Sequence, residues 1–145
     1  MRAIHRLVLS AVLGLALGMA GCAGDEADSP REAFEELTEA IGDLDYEEVC
    51  HRLTATAREE WRSLDEFSSS GGEPSCEDGV ADWIEGEGVD VEVAEEGTII
   101  DAYESGDNGG VSTARGEFAF VNEGGEWRAD MGNMEFGKLL GSGVE

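Results

Sequence analysis

Few side chains in this 145-residue chain have chemistry that stands apart from its 34 acids: three cysteines, Cys22, Cys50 and Cys76, and two histidines. His51 follows Glu47 and Glu48 by four and three residues, so on a helix a carboxylate would stand beside its imidazole. A nucleophilic triad would also need an activated serine, and the chain has no strained Gly-x-Ser-x-Gly turn to carry one. Zinc would need more nitrogen or sulfur ligands than His51 and two cysteines already paired with each other supply. Asp43-Leu44-Asp45 and Asp107-Asn108-Gly109 are short acidic pieces without the twelve-residue ligand spacing of a calcium loop. No metal and no cofactor is expected. The bland account of His51, a surface imidazole with a helical glutamate partner, is preferred.

Cys22 has a setting of its own. Arg2, His5 and Arg6 precede an apolar run over residues 7–19, the length of a secretory h-region and short for a bilayer span. Ala20-Gly21 then supplies small residues for a signal peptidase. Met19-Ala20-Gly21-Cys22 resembles the lipobox of bacterial lipoproteins, with methionine where leucine is more usual. The resemblance implies that Cys22 is acylated and becomes the mature N-terminus. It predicts a leader over residues 1–21, a small polar tether over 22–28 and one domain over 29–145. The alternative is an ordinary cleaved leader with Cys22 a chance thiol.

Removing residues 1–21 takes away two arginines and no acids, which leaves 7 basic and 34 acidic residues and a formal charge of −27. Such a field repels nucleic acid and anionic lipid head groups, so neither is an expected partner. The acids are dispersed along the chain, as on a solvated surface rather than a disordered tail. In an exported chain whose Cys22 carries lipid, Cys50 and Cys76 read as one disulfide. Two buried thiols are the alternative.

Three helices must come first. Ser29-Pro30-Arg31-Glu32 is a capping box with proline at the first helical position, and Phe34, Leu37, Ile41 and Leu44 follow as one stripe up to a stop near Gly42. Asp45-x-x-Glu48 opens a second helix with Tyr46, Val49, Cys50, Leu53, Ala57, Trp61 and Leu64 inward. Ser68 to Pro74 reads as a loop, and Ser75-x-x-Asp78 caps a third helix that buries Cys76, Val80, Trp83 and Ile84.

From Gly88 the period falls to two. Strands are expected over residues 89–93, 98–104 and 111–121, with a turn at Gly106 to Gly110. After a second turn at Asn122 to Gly125, Trp127, Ala129 and Met131 face inward in the last strand, with Glu126, Arg128 and Asp130 outward. Residues 132–145 read as a frayed closing segment. The three tryptophans, with Phe118 and Phe120, are expected to be core. Asp90, Glu92, Asp101 and Glu117 alternate with apolar residues and should face solvent, Asp101 least clearly because Ile99-Ile100 blurs the facing of its strand.

The expected layout is α+β, with three N-terminal helices on a curved antiparallel sheet of about four strands. It resembles the NTF2-like superfamily, a cystatin-like cone, and within it actinobacterial lipoproteins of unassigned activity. The matching stretches are Asp45 to Thr54, Pro74-Ser75-Cys76-Glu77 and Gly124-Gly125-Glu126-Trp127-Arg128. The resemblance implies a pocket between helices and sheet. Ketosteroid-isomerase-type chemistry there would need a buried carboxylate base and a donor for the enolate oxygen. Those residues find no match in this chain, so no catalytic residue is assigned.

The expected function is a non-catalytic domain held by the Cys22 lipid on the outer side of the cell membrane, binding a protein or small ligand. The alternatives are a small-molecule isomerase or cyclase using the cone pocket, and an accessory subunit of an envelope complex. The pocket lining discriminates between them.

The charge gives a prediction of its own. At −27 the folded domain repels itself, and salt shortens the reach of that repulsion to about 8–10 Å at ~0.1 M. Melting followed by circular dichroism should therefore show a Tm that rises between low and moderate salt. A flat or falling Tm would contradict the assignment of charge strain.

Overall fold

The computed structural model describes residues 26–65, 72–87 and 98–141. Its elements run α1 (Pro30–Gly42), α2 (Tyr46–His51), α3 (Ala55–Asp65), α4 (Cys76–Glu87), β1 (Ile99–Ser105), β2 (Asn108–Thr113), β3 (Gly116–Glu123), β4 (Glu126–Ala129) and α5 (Asn133–Leu139). The strands form one antiparallel sheet in the order β1-β2-β3-β4, with helices packed against it. The α+β layout is as expected. The strand expected over residues 89–93 and the serine-rich part of the loop before Gly72 lie outside the described residues.

All three helix starts follow their caps. The Ser29 hydroxyl accepts from Glu32 N, the Asp45 carboxylate from Glu48 N, and the Ser75 hydroxyl from Asp78 N. Glu32 closes its box one residue early, accepting from Asp28 N. Packing begins ahead of that cap as well: Ala27 is fully buried and its carbonyl accepts from Trp127 N.

The second helix is not one rod. It stops at His51 and restarts at Ala55, because the chain between them runs beside β4. Ala129 N donates to Arg52 O, Thr54 N donates to Ala129 O, and Leu53 bridges Ala129 in parallel register. The Thr54 hydroxyl then caps α3 by accepting from Ala57 N. The inward face survives this break: Val49, Cys50, Leu53, Ala57 and Trp61 are all buried. Together with Ala27, these bonds occupy backbone groups along the outer edge of β4, which a sheet must otherwise protect from stray pairing.

The expected long strand over residues 111–121 is a hairpin. Thr113 Oγ1 accepts from Arg115 N and lies 3.4 Å from Gly116 O, and Gly116 takes φ 142°, so Ala114-Arg115 turns the chain between β2 and β3. The turn expected at Gly106 to Gly110 is correspondingly shorter. Gly109 and Gly110 are buried inside β2, where a Cβ would come 2.5 Å from the Pro30 ring and 2.7 Å from the Tyr103 ring. These glycines serve close approach rather than a bend.

Two aromatic groups fill the interior. Phe34 of α1 meets Phe118 and Phe120 of β3 at centroid distances of 5.7 and 6.4 Å. Trp61 of α3 meets Phe136 of α5 edge-on at 4.9 Å, with Trp83 of α4 against both. Asn133–Leu139 of the closing segment are thus a packed helix rather than frayed, and residues 142–145 lie outside the described residues. Phe136, Leu139 and Leu140 are buried, Trp61 Nε1 donates to Met131 O, and the Arg115 guanidinium donates to Leu139 O at the helix terminus.

Leu44 departs from its expected place on the first stripe. Asp45 N reaches Ala40 O and Leu44 N reaches Ile41 O, the two bonds of a Schellman stop. The left-handed position of that motif, usually glycine, is Leu44 at φ 55°, and its side chain is 46% exposed. A leucine there costs about 1 kcal/mol in backbone strain and recovers little by burial. Leu44→Gly should raise unfolding stability by about 0.5–1 kcal/mol in urea titration. A loss of stability would mean that the Leu44 side chain contributes packing that its exposure conceals.

Candidate functional site

The first place to look for chemistry is the space between helices and sheet. Phe34, Val111, Phe118, Phe120 and Leu37 occupy it, all at 1% exposure or less. Of the sheet acids considered from sequence, Asp101 is exposed and accepts from Ala102 N. Glu117 is exposed on the outer face and accepts from the Tyr103 hydroxyl at 2.7 Å. That bond to a carboxylate pushes the Tyr103 phenol above its ordinary value. Asp90 and Glu92 lie outside the described residues.

Among the described residues one carboxylate is buried, and it is neither Asp101 nor Glu117. Glu126 was expected on the solvent side of β4, yet α2 and residues 52–54 cover it. Its Oε2 pairs with Arg128 Nη2 at 2.8 Å, while its Oε1 lies 3.9 Å from Arg52 Nη1 and 3.7 Å from His51 Nε2. Both oxygens face cationic or donor groups. Only Oε2 accepts a hydrogen bond, from Arg128; Oε1 stands at ion-pair distance from Arg52 and His51.

Arg52 is the hub of the cluster. Its side chain is 7% exposed; Nε bonds Glu48 one helical turn back and Nη1 bonds Glu36 of α1. Arg128 adds a bond from Nη1 to His51 O at 2.9 Å, and its Nε is buried without a hydrogen-bond partner. Arg52 and its acids therefore join α1, α2 and β4 through charge as well as through apolar contact. The sequence carried a partial signal for this, the Glu48–Arg52 spacing and the Glu126-x-Arg128 alternation, but nothing local to say that the two would meet.

His51 is exposed as expected, but its partner differs. The nearest carboxylate is Glu126 on the sheet, because Glu48 is held by Arg52. His51 lines an open cleft of about 470 Å³ with Asp45, Glu47, Glu48, Arg58 and Glu77, and the buried Cys50 forms part of the wall. Cys50 and Cys76 are joined as a disulfide, with Cα atoms 6.1 Å apart. A second open cleft, about 450 Å³, lies beside α1 at Arg31, Thr38 and Ile99. Among the described residues no group of three or more histidine, cysteine or acidic side chains is arranged to hold a metal ion, and no helix is long and apolar enough to cross a membrane. Cys22 lies outside the described residues.

The cluster's structural role can be measured. Replacing Arg52 by methionine leaves Glu36, Glu48 and Glu126 without their shared cation. Because Glu48 is partly solvated, the cost should be about 2–4 kcal/mol in chemical denaturation rather than the full penalty of a buried pair. A loss below about 0.5 kcal/mol would place the network among surface pairs that contribute little. No family model, no curated protein and no solved structure matches the chain.

Proposed function

We propose that this chain is a lipid-anchored domain on the outer face of the cell membrane that binds a protein or small ligand and does no catalysis. The observation that carries binding over catalysis is the filled interior. Phe34, Phe118 and Phe120 occupy the place where an NTF2-like cone would hold a substrate, and the buried Glu126 is tied into an ion-pair cluster with Arg128, Arg52 and His51. Recognition then falls to the surface, where the two open clefts lie. An exported location is supported by the Cys50–Cys76 bond, since disulfides persist in oxidising compartments. The lipid anchor rests on the sequence from Met19 to Cys22, and the NTF2-like relationship on the helix-then-meander layout.

The anchor is tested in cells given labelled palmitate and then fractionated. The intact chain should carry label and sediment with membranes, whereas Cys22→Ala should lose both. Membrane attachment undiminished in that variant would overturn the assignment.

A further inference from the structure

The two edges of the sheet differ. Ala27 and residues 52–54 occupy backbone groups along β4, whereas β1 is the terminal strand at the other end and pairs, among the described residues, with β2 alone. Which of its backbone groups point outward follows from its neighbours. Asn122 N donates to Asp107 O, so residues 107, 109, 111 and 113 turn their backbone groups toward β3 and residues 108, 110 and 112 toward β1. In the register Asp101↔Ser112, Tyr103↔Gly110 and Ser105↔Asn108, it is therefore Asp101, Tyr103 and Ser105 that bond β2. Ala102 and Glu104 point their N–H and C=O groups away from the sheet.

One of those outward donors is already taken. Ala102 N donates to the carboxylate of the residue before it, Asp101 Oδ1, at 2.9 Å. The apolar side chains on either side are not hidden. Ile100 is 68% and Tyr103 46% exposed, and they are two of only four exposed large hydrophobic residues among the described ones. An open edge that carries such side chains is a template for a pairing strand, and a charged side chain on it is a usual block.

The regular part of β1 also complements itself. A bulge between Ile99 and Asp101 ends it on one side, and the turn after Ser105 ends it on the other. Laid antiparallel on a second copy about Tyr103, it sets Tyr103 against Tyr103, Ala102 against Glu104 and Asp101 against Ser105 of that copy. No two like charges are then directly opposed, and two exposed aromatic rings meet at the centre. Ala102 and Glu104 exchange backbone hydrogen bonds across the pair, which requires each Ala102 N–H to be free. We propose that the β1 edge is a self-pairing surface for a second copy of this chain, held shut by the Asp101 carboxylate on Ala102 N.

The test is sedimentation equilibrium of the full chain in density-matched detergent, at ~0.5 M ionic strength to screen its overall charge. Two Asp101 caps are displaced per dimer, and one net hydrogen bond corresponds to about fivefold in an equilibrium constant. Asp101→Ala should therefore lower the dimer dissociation constant at least about tenfold relative to the unaltered chain. Asp101→Asn removes the same charge but keeps an oxygen for Ala102 N, and should shift the constant less than about threefold. Asp101→Ala/Ala102→Pro deletes the outward N–H at an edge position, where proline is tolerated, and should return association to that of the unaltered chain. An Asp101→Ala chain no more associated than the original would overturn the proposal, since something other than this carboxylate would then close the edge. So would equal association of Asp101→Asn and Asp101→Ala, which would assign the effect to charge, or association that survives the proline, which would place it on another surface.

Discussion

The placement of α4 against α2 depends on one covalent constraint, the bond between Cys50 and Cys76. The helix α4 is short and contains two glycines, so its own propensity is low. Its anchors are Val80 and Ile84, the partly buried Trp83, and the bridge to α2. A cross-link across 26 residues removes unfolded-chain entropy worth about 3–4 kcal/mol in the loop-closure account. For a chain with a formal charge of −25, that is a substantial part of a marginal total. The same bond lies beside the acidic cleft that Cys50 helps to line.

The polar side of the structure solves a related problem. The short strand β4 would offer a bare edge, and its Glu126 and Arg128 would be ordinary surface charges. Residues 52–54 instead leave the helix and pair with Ala129, which brings Arg52 against Glu126 and covers the pair. The interruption between α2 and α3 is therefore what creates the charge cluster. The aromatic groups on either side then complete the interior among the described residues.

Much of this was legible in the sequence because it is local. Caps at Ser29, Asp45 and Ser75, the stripe from Phe34 to Ile41, the inward pair Cys50 and Cys76, and the Gly124-Gly125 turn each follow from residues within one or two turns of chain. What escaped depends on distant partners. The break at Leu53 is decided by Ala129, and the burial of Glu126 by Arg52. Gly109 and Gly110 looked like a turn, but they make room for Pro30 and Tyr103. The last helix was obscured by Gly137 in its interior; its stability comes from Phe136 between Trp61 and Trp83 and from Arg115 at its end. The candidate site was legible only as a list of residue types. Its geometry, a filled interior with an acidic cleft over a disulfide, needed the packing.

Amide hydrogen exchange of the oxidised and the reduced protein, resolved by peptide, tests the central role of the bridge most directly. Reduction should release the amides of α4 to fast exchange while β2 and β3 keep their protection, since Phe34, Phe118 and Phe120 hold the sheet to α1 independently of the bond. Unchanged protection in α4 after reduction, or loss of protection in sheet and helix together, would contradict this account.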